Sequence, residues 1–450
     1  MRPSREKNED VCKEKEYIIP VILKLSKTPF LLILTLCTYL LLSRTTGPVK
    51  PVPLVQTGLA AYCAGTTPIG SSEFLDRQRR LAETLVKHNA SAYIAEPGAN
   101  GLFFFNVSTS DWFLSERPLL LIITALQSSG ITEANVSVLT PKFESSRAKM
   151  LPIPANVKFF TWPEHENPYE HAAAALAGMP GVIFVDGSMR KFIADGLQKA
   201  LPTAQVVTSS PEVNKIRERK SKVELNILKC ANEVTLLAIR AVHKKLHIGI
   251  RESEARSLMA VALADAGLQQ AGCLTLFGEN AALPHGSGTD RALSESDFAL
   301  FDCTGSLHGY FSDVTRTVAL PNSKIPEEHQ YIWYHVHSAQ TAASRAAHAG
   351  GLANQVDETA RSYLRQVGYD SYFSHRLGHG IGLEVHEEPY LHGGSNRTIE
   401  VSHTFSNEPG VYIEGKVGVR LEDCFFINSE GKAVFLTDGV GGQAKSPWSP

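Results

Sequence analysis

Residues 298–320 read FALFDCTGSLHGYFSDVTRTVAL and place two aspartates in a setting that predicts paired β-strands. The beginning of this segment is apolar, and its end is rich in β-branched and aromatic side chains, as is typical of strands. Gly305–Gly309 contains turn residues and predicts the connection between the two strands. We therefore expect a hairpin in which Asp302 and Asp313 face each other across neighbouring strands.

Three side chains further along the chain can complete a metal site. His379 lies between two glycines in HRLGHGIGLEVHE, and Glu408 precedes a Pro-Gly pair that predicts the end of a strand. Glu422 follows Arg420 by two residues in VRLEDC, and the strand period places both side chains on one face. With the two aspartates, four carboxylates and one imidazole suit two hard or borderline divalent cations that share a water.

These motifs resemble the pita-bread metallopeptidases, and within them the branch of aminopeptidase P and prolidase, which cleaves Xaa-Pro bonds. The resemblance extends from about Gly70 to the end of the chain. It implies that Asp302 binds one metal and that Asp313 and Glu422 bridge both metals. It also implies that His379 and Glu408 complete the shell of the second metal.

The resemblance also implies roles for residues around the ligands. Glu408 is the candidate proton shuttle, and His285 and His386 are candidate catalytic residues. An imidazole N–H directed at a tetrahedral intermediate stabilises its developing negative charge. His375, His386 and Arg420 are the candidate substrate-binding residues. For Arg420, neutralisation of the neighbouring carboxylates is an equally good interpretation.

The rest of the chain divides into segments of different composition. We predict a polar tail at 1–28, an apolar segment at 29–43, a linker at 44–69, a first domain at 70–217 and a second domain at 218–450. The apolar segment is short for a membrane span, so a signal anchor and a signal-peptide core are both open. Seven Lys and Arg residues precede it, which predicts a cytosolic N-terminus and a lumenal or extracellular catalytic part. A cleaved signal peptide would instead give a secreted protein.

Helix and strand patterns alternate through the first predicted domain. Apolar residues recur at helical spacing from about Ser71. The predicted strands are Ala92–Ala95, Leu119–Thr124, Val136–Thr140 and Gly181–Val185, with a helix at Pro168–Ala177. This alternation predicts an α/β domain, a sheet covered by helices. The segment EPGANGLFF also resembles the creatinase-type N-terminal domain, which implies that the domain helps to build a homodimer.

Long amphipathic patterns follow in the second predicted domain. The predicted helices are 223–244, 252–266, 327–349 and 355–367. Packed around the strands that carry the ligands, they predict an α+β pita-bread catalytic domain.

Composition excludes other classes of function. The net charge of −2 and the absence of a basic stripe argue against nucleic-acid binding. Five cysteines lie beyond the apolar segment without CxxC spacing, which excludes a zinc cluster. One disulfide is compatible with this number, and the sequence does not pair it.

We therefore expect a dinuclear metallopeptidase that acts on proline-containing peptides, either at their N-termini or as dipeptides. The family commonly uses Mn²⁺, and Zn²⁺ or Co²⁺ could bind the same ligands. Three alternatives remain: a methionine-type aminopeptidase, a metal-independent creatinase-like hydrolase and a non-catalytic, membrane-tethered binding module.

Overall fold

The computed structural model describes residues 58–176 and 180–450. The predicted polar tail and the apolar segment 29–43 lie outside these residues. Within the described ranges, no helix combines the length and the apolar character that a membrane crossing requires.

The first part of the fold is a mixed sheet of six strands in the order β4-β3-β2-β1-β5-β6. Its strands are β1 (Ala90–Ala95), β2 (Leu120–Ser128), β3 (Ile131–Pro141), β4 (Val157–Trp162), β5 (Gly181–Val185) and β6 (Ala204–Thr208). The helices are α1 (Ser71–Lys87), α2 (Ala99–Phe105), α3 (Ser145–Ala148), α4 (Pro168–Ala175), α5 (Lys191–Ala200) and α6 (Pro211–Glu218). The central strand β1 is apolar and buried along nearly its whole length, as expected for a strand covered on both faces. The predicted α/β alternation is confirmed, whereas the boundary between residues 217 and 218 stays a prediction.

The second part begins with two helices and an antiparallel sheet of three strands. These elements are α7 (Lys222–His243), α8 (Glu252–Asp265), β7 (Gln269–Phe277), β8 (Ala299–Leu307) and β9 (Tyr310–Val318). A capping box starts α7, since Ser221 Oγ accepts from Glu224 N at 3.2 Å and Glu224 Oε2 accepts from Ser221 N at 2.7 Å. Val234 and Ile239 of α7 share a buried cluster with Val314 of β9. This packing holds the aspartate hairpin against α7.

The predicted hairpin is present, but its turn is shorter than expected. Strand β8 continues to Leu307, so only His308 and Gly309 form the turn. Both residues have positive φ, at 50° and 85°, which is the backbone conformation of a type I′ hairpin turn. Gly305, predicted to lie in the turn, instead pairs with Ser312.

Two helices and the remaining strands complete the fold. The helices are α9 (Glu327–Ala346) and α10 (Ala353–Gln366). The strands are β10 (Gly378–Gly380), β11 (Glu387–Leu391), β12 (Thr404–Asn407), β13 (Gly410–Ile413), β14 (Val417–Arg420), β15 (Asp423–Ile427) and β16 (Ala433–Phe435). Five of these strands form a sheet in the order β11-β10-β12-β15-β16, and β13 pairs with β14. Trp333 Nε1 of α9 donates to Thr317 O of β9 at 2.8 Å, which ties the helix to the hairpin.

The described residues form two disulfides, whereas the sequence analysis expected at most one. Cys63 is bonded to Cys230 in α7, and Cys273 of β7 is bonded to Cys303 of β8. Cys273 and Cys303 occupy directly opposed positions of the two strands. Cys424 is buried and free.

Candidate metal centre

The aspartate hairpin presents two carboxylates on one face, displaced along the strands. Asp302 pairs with Thr315, and Asp313 pairs with Thr304. The two aspartates are therefore diagonal neighbours and not directly opposite, as the sequence suggested. Side chains two apart on a strand share a face, so Asp302, Asp313 and Thr315 all point toward the same site.

The glycine-flanked strand β10 supplies the imidazole. His379 Nε2 lies 3.6 Å from Asp313 Oδ2 and 3.2 Å from Glu408 Oε1. A Cβ at Gly378 would lie 2.1 Å from Ser406 O, so only glycine lets β10 come this close to β12. His379 Nδ1 lies 3.0 Å from Gly380 O. A carbonyl can only accept, so the proton is on Nδ1 and Nε2 is directed toward the carboxylates, as in a metal-ligating imidazole.

The two glutamates lie just beyond strand ends. Glu408 follows β12, as predicted, and Glu422 lies between β14 and β15 instead of within a strand. The side chains fall into three groups whose potential ligand atoms lie within 4.8 Å of one another: Asp302, Asp313 and Glu422; His379, Glu408 and Glu422; Asp313, His379 and His386. Asp313, His379 and Glu422 each belong to two groups. The geometry thus brings all five predicted ligands together in one cluster of overlapping groups, with His386 at its edge.

The buried carboxylates fit divalent cations. Glu422 Oε2 accepts from Thr315 Oγ1 at 2.6 Å, whereas Glu422 Oε1 is buried with no hydrogen-bond partner. Burial and the neighbouring carboxylates raise the pKa values of Asp313 and Glu422 well above their usual range. Buried carboxylates in such proximity are costly unless protons or cations compensate them. The residues present therefore match a pair of metal ions.

Glu408 differs from the other two buried carboxylates. Burial alone would raise the pKa of Glu408, but the adjacent His379, together with His375 and the charge of Arg420, lowers it to about 2. Glu408 Oε1 also accepts from Ser406 Oγ at 3.2 Å. Glu408 is thus ionised over the whole neutral pH range, unlike Asp313 and Glu422, whose pKa values are raised.

Arg420 joins the ligands to a buried tyrosine that the sequence analysis missed. Arg420 Nη2 lies 2.6 Å from Asp302 Oδ2, and Arg420 Nη1 donates to Tyr412 OH at 2.9 Å. Arg420 therefore pairs with a carboxylate of the ligand cluster, Asp302. A contact of Arg420 with substrate stays a prediction. Tyr412 follows Glu408 by four residues in SNEPGVY. This short distance from a predicted ligand is the sequence feature that could have identified Tyr412 as a site residue.

Tyr412 also contacts His375. The Tyr412 hydroxyl lies 2.8 Å from His375 Nε2, and His375 Nδ1 lies 2.7 Å from Arg376 O. Because the carbonyl accepts from Nδ1, the hydroxyl donates to Nε2 and the ring is neutral. Burial lowers the pKa of His375 and raises that of Tyr412 to about 12, in agreement with this arrangement. The role of His375 in substrate binding stays a prediction.

A cavity of about 440 Å³ opens onto the metal centre. Its lining residues are Pro284, His285, His375, Arg376, His386, Glu408 and Arg420. His285 and His386 are exposed, and the rings of His386 and His379 are 4.3 Å apart. Burial, with the neighbouring His379 and Arg376, lowers the pKa of His386 to about 4, so His386 is neutral near pH 7. The structure therefore brings every predicted site residue to the metal cluster or to this cavity.

The loop that carries His285 is organised by a carboxylate that the sequence analysis did not single out. Glu252 is fully buried at the start of α8. Its Oε1 accepts from Phe277 N and Asn280 Nδ2, both at 2.8 Å. Its Oε2 accepts from Thr289 N at 3.2 Å and from Arg291 N at 3.1 Å. Four donors thus fix the segment on either side of His285.

Comparison with known proteins identifies the family. Residues 226–429 match metallopeptidase family M24. An uncharacterized peptidase of Schizosaccharomyces pombe is 39% identical over 390 residues, which cover 85% of this chain and 84% of the relative. The chain belongs to metallopeptidase family M24. A putative dipeptidase of Bacillus subtilis, YkvY, is 33% identical over 63% of this chain and 78% of its own length.

Solved structures of M24 enzymes share the fold. Dipeptidase PepE from Mycobacterium ulcerans superposes with a TM-score of 0.75 at 27% identity, over 82% of this chain and 97% of that chain. A prolidase from Thermococcus sibiricus gives a TM-score of 0.71 at 26% identity, over 82% and 98% of the two chains. These likenesses confirm the pita-bread fold and the resemblance seen in the sequence. M24 peptidases use two divalent metal ions, in agreement with the ligand groups above.

Proposed function

We propose that this M24 peptidase hydrolyses the bond before proline, in dipeptides or at the N-terminus of short peptides. The observation that carries the proposal is the convergence of Asp302, Asp313, His379, Glu408 and Glu422 beside a cavity lined by histidines. The similarity to a prolidase structure supports the proline preference. A dipeptidase that does not require proline is the second candidate, favoured by the relatives named dipeptidase.

The side chains around the cavity have separable tasks in this reaction. Two bound divalent cations would acidify a shared water near neutral pH. Glu408, ionised at neutral pH, accepts the proton of the attacking water and passes it to the leaving nitrogen. His285 and His386 face the cavity and donate to the oxygen that gains negative charge. Arg420 holds Asp302 in place.

The proposed metal is Mn²⁺. Four carboxylates and one imidazole form an oxygen-rich set that suits this ion, and Zn²⁺ and Co²⁺ are the competitors. Metal content after purification, followed by reconstitution with each ion separately, discriminates among them.

The proposed setting is a lumenal or extracellular catalytic part, with the N-terminus in the cytosol, or a secreted protein. The two disulfides support an oxidising compartment. We propose a homodimer from the family resemblance, and light scattering of the purified protein tests it. Protease protection of the C-terminal part in intact microsomes tests the orientation.

Hydrolysis assays with the full chain test the proposed activity. The substrates are Gly-Pro, Arg-Pro-Pro and Met-Ala-Ser, each with added Mn²⁺ and with EDTA. We expect cleavage before proline that disappears with EDTA and in Asp313→Ala, and persists in Asp438→Ala, a matched change of an exposed aspartate. Cleavage of Met-Ala-Ser alone would establish the methionine-type alternative. EDTA-resistant turnover would favour creatinase-like hydrolysis, and a folded, metal-loaded but silent protein would favour a binding module.

A further inference from the structure

An acceptor motif for N-linked sugars lies on the exposed loop between β11 and β12. Residues 396–398 read Asn-Arg-Thr and satisfy the sequon Asn-X-Ser/Thr. Asn396 and Thr398 are exposed, whereas Arg397 is half-buried. Arg397 Nη2 lies 2.5 Å from Oε2 of Glu218, a buried residue at the end of α6. Since alternate side chains of an extended segment point to opposite sides, this inward ion pair directs Asn396 and Thr398 to solvent.

The loop is held against the start of α10 without engaging the two groups that the sequon needs. Asn354 N donates to Ser395 O at 3.0 Å, and Asn354 Nδ2 donates to Asn396 Oδ1 at 2.9 Å. Within residues 58–176 and 180–450, neither Asn396 Nδ2 nor Thr398 Oγ1 has a hydrogen-bond partner. The nitrogen that accepts the sugar and the hydroxyl of the sequon are therefore both open to solvent.

The fold engages at least one of these two groups in every other sequon of the chain. These sequons end in serine and begin at Asn89, Asn106 and Asn135. In the first, Ser91 Oγ donates to Pro180 O at 2.7 Å. In the second, the asparagine Nδ2 donates to Pro152 O at 3.0 Å. In the third, it donates to Thr124 Oγ1 on the neighbouring strand at 3.0 Å. A glycan must be compatible with the folded state, and this condition favours Asn396.

A polar groove beside the sequon gives room for sugars. It lies between α9 and α10, has a volume of about 840 Å³ and is lined in part by Asn354. Amide and hydroxyl side chains follow along one face of α10: Gln355, Thr359, Ser362 and Gln366. Such groups both donate and accept hydrogen bonds, as sugar hydroxyls do. A glycan at Asn396 would thus meet a surface with which it can form hydrogen bonds.

We propose that Asn396 carries an N-linked glycan. The oligosaccharide comes from a lipid-linked diphosphate donor. A bond forms between Asn396 Nδ2 and the anomeric carbon of the first sugar, the bond from that carbon to the diphosphate oxygen breaks, and the lipid diphosphate leaves. Nδ2 releases one proton to water.

This inference rests on the proposed lumenal, extracellular or secreted setting, which the two disulfides support. Asn396 belongs neither to the ligand groups nor to the lining of the cavity beside them. The glycan is therefore expected to leave the proposed hydrolysis unchanged.

The test locates the glycan on the purified protein. Full-length protein from eukaryotic cells is treated with peptide N-glycosidase in heavy-oxygen water, which converts each glycosylated asparagine into a labelled aspartate. Peptide mass spectrometry then measures the label at every sequon. We expect label at Asn396 in the wild type and in Thr398→Ser, which keeps the sequon. Asn396→Gln and Thr398→Ala should lose the label and migrate faster on a denaturing gel, with hydrolysis of Gly-Pro unchanged.

The outcomes separate this inference from the proposed setting. Label at Asn396 that is lost in Thr398→Ala supports the inference. Label at other sequons with none at Asn396 overturns the inference and leaves the setting intact. Protein without label at any sequon also overturns it, and alkylation of the cysteines before reduction then decides the setting. Intact disulfides would retain the lumenal or secreted setting, whereas free thiols would overturn it. The hydrolysis assays test the peptidase function independently.

Discussion

Thr315 donates its hydroxyl to one oxygen of Glu422 at 2.6 Å, and the other oxygen of that carboxylate is buried without a partner. Thr315 thereby orients Glu422, and its own backbone lies opposite Asp302 in the hairpin. A neutral hydroxyl that donates to one carboxylate oxygen fixes the orientation of the carboxylate toward the metal without adding charge.

Replacement of Thr315 by valine tests this arrangement, because valine keeps the shape and removes the donor. We expect the affinity for Mn²⁺ to fall about 10- to 100-fold, as is typical when a partner of a ligand is lost. Calorimetric titration of metal-free protein measures it. Thr315→Ser keeps the hydroxyl and should bind nearly as tightly as the wild type. Equal affinity of the valine variant would contradict the proposed role of Thr315.

Tyr412 is expected to matter for turnover more than for metal binding. Its hydroxyl links Arg420 to His375, and Tyr412→Phe leaves a buried guanidinium N–H without its acceptor. Loss of such a bond predicts a decrease of roughly tenfold in kcat/KM, with metal content preserved. Steady-state kinetics and metal analysis are measured together. Tyr363→Phe, whose hydroxyl contacts His335 outside the cavity, is the matched control and should leave turnover unchanged.

Glu252 should control the loop that carries His285. Glu252→Gln preserves the size of the side chain. Its NH2 group, however, would replace one carboxylate oxygen and could not accept from the two N–H donors at that position. We expect amide hydrogen exchange at Thr289 and Arg291 to accelerate roughly tenfold or more, together with a lower kcat. Glu254→Gln, two residues away and exposed, is the control. Unchanged exchange in Glu252→Gln would show that the loop does not depend on this carboxylate.

His403 makes the stability of the fold sensitive to acid. Burial and the nearby charges of Lys220, Arg397 and Arg219 lower its pKa to about 3, and its Nδ1 accepts from Glu400 N. The unfolded chain binds a proton near pH 6.5 and the folded chain does not. Acidification therefore stabilises the unfolded state, and this contribution to stability is lost as the pH falls from about 6.5 toward 3.

The variant His403→Asn keeps an acceptor for Glu400 N and removes the titration. Between pH 6.5 and 5, we expect the free energy of unfolding of the wild type to fall more steeply, by about 1.4 kcal/mol per pH unit, than that of the variant. Urea denaturation at several pH values measures the difference. His165→Asn changes an exposed histidine and should keep the wild-type slope. Parallel slopes for wild type and His403→Asn would be inconsistent with a neutral, buried His403.

The sequence predicted the elements whose pattern is strongly periodic. The helices α7 to α10 were placed within a few residues of their ends, because their apolar positions recur at helical spacing. The five ligands were recognised because each lies in a distinct local motif. The hairpin register was missed, since Gly305 has the composition of a turn but pairs with Ser312.

Other features depend on distances that sequence patterns do not contain. Cys63 and Cys230 are 167 residues apart in sequence and 5.9 Å apart between Cα atoms, and no spacing rule connects them. In the sequence, Glu252 resembles any acidic residue in the first turn of a helix. Its role follows from hydrogen bonds to the loop that carries His285, and the sequence pattern does not contain these bonds. Tyr412 gains its role from a contact with His375, which lies 37 residues earlier in the sequence.

The bond between Cys63 and Cys230 closes a covalent ring that encloses the whole six-stranded sheet. A protease that cuts one peptide bond anywhere inside this ring cannot release either fragment. Such a nicked molecule would migrate as one band on a denaturing gel without reductant and as two bands with it. The metal ligands lie on the chain that continues beyond Cys230, so both parts of the nicked sheet would stay covalently attached to them through α7.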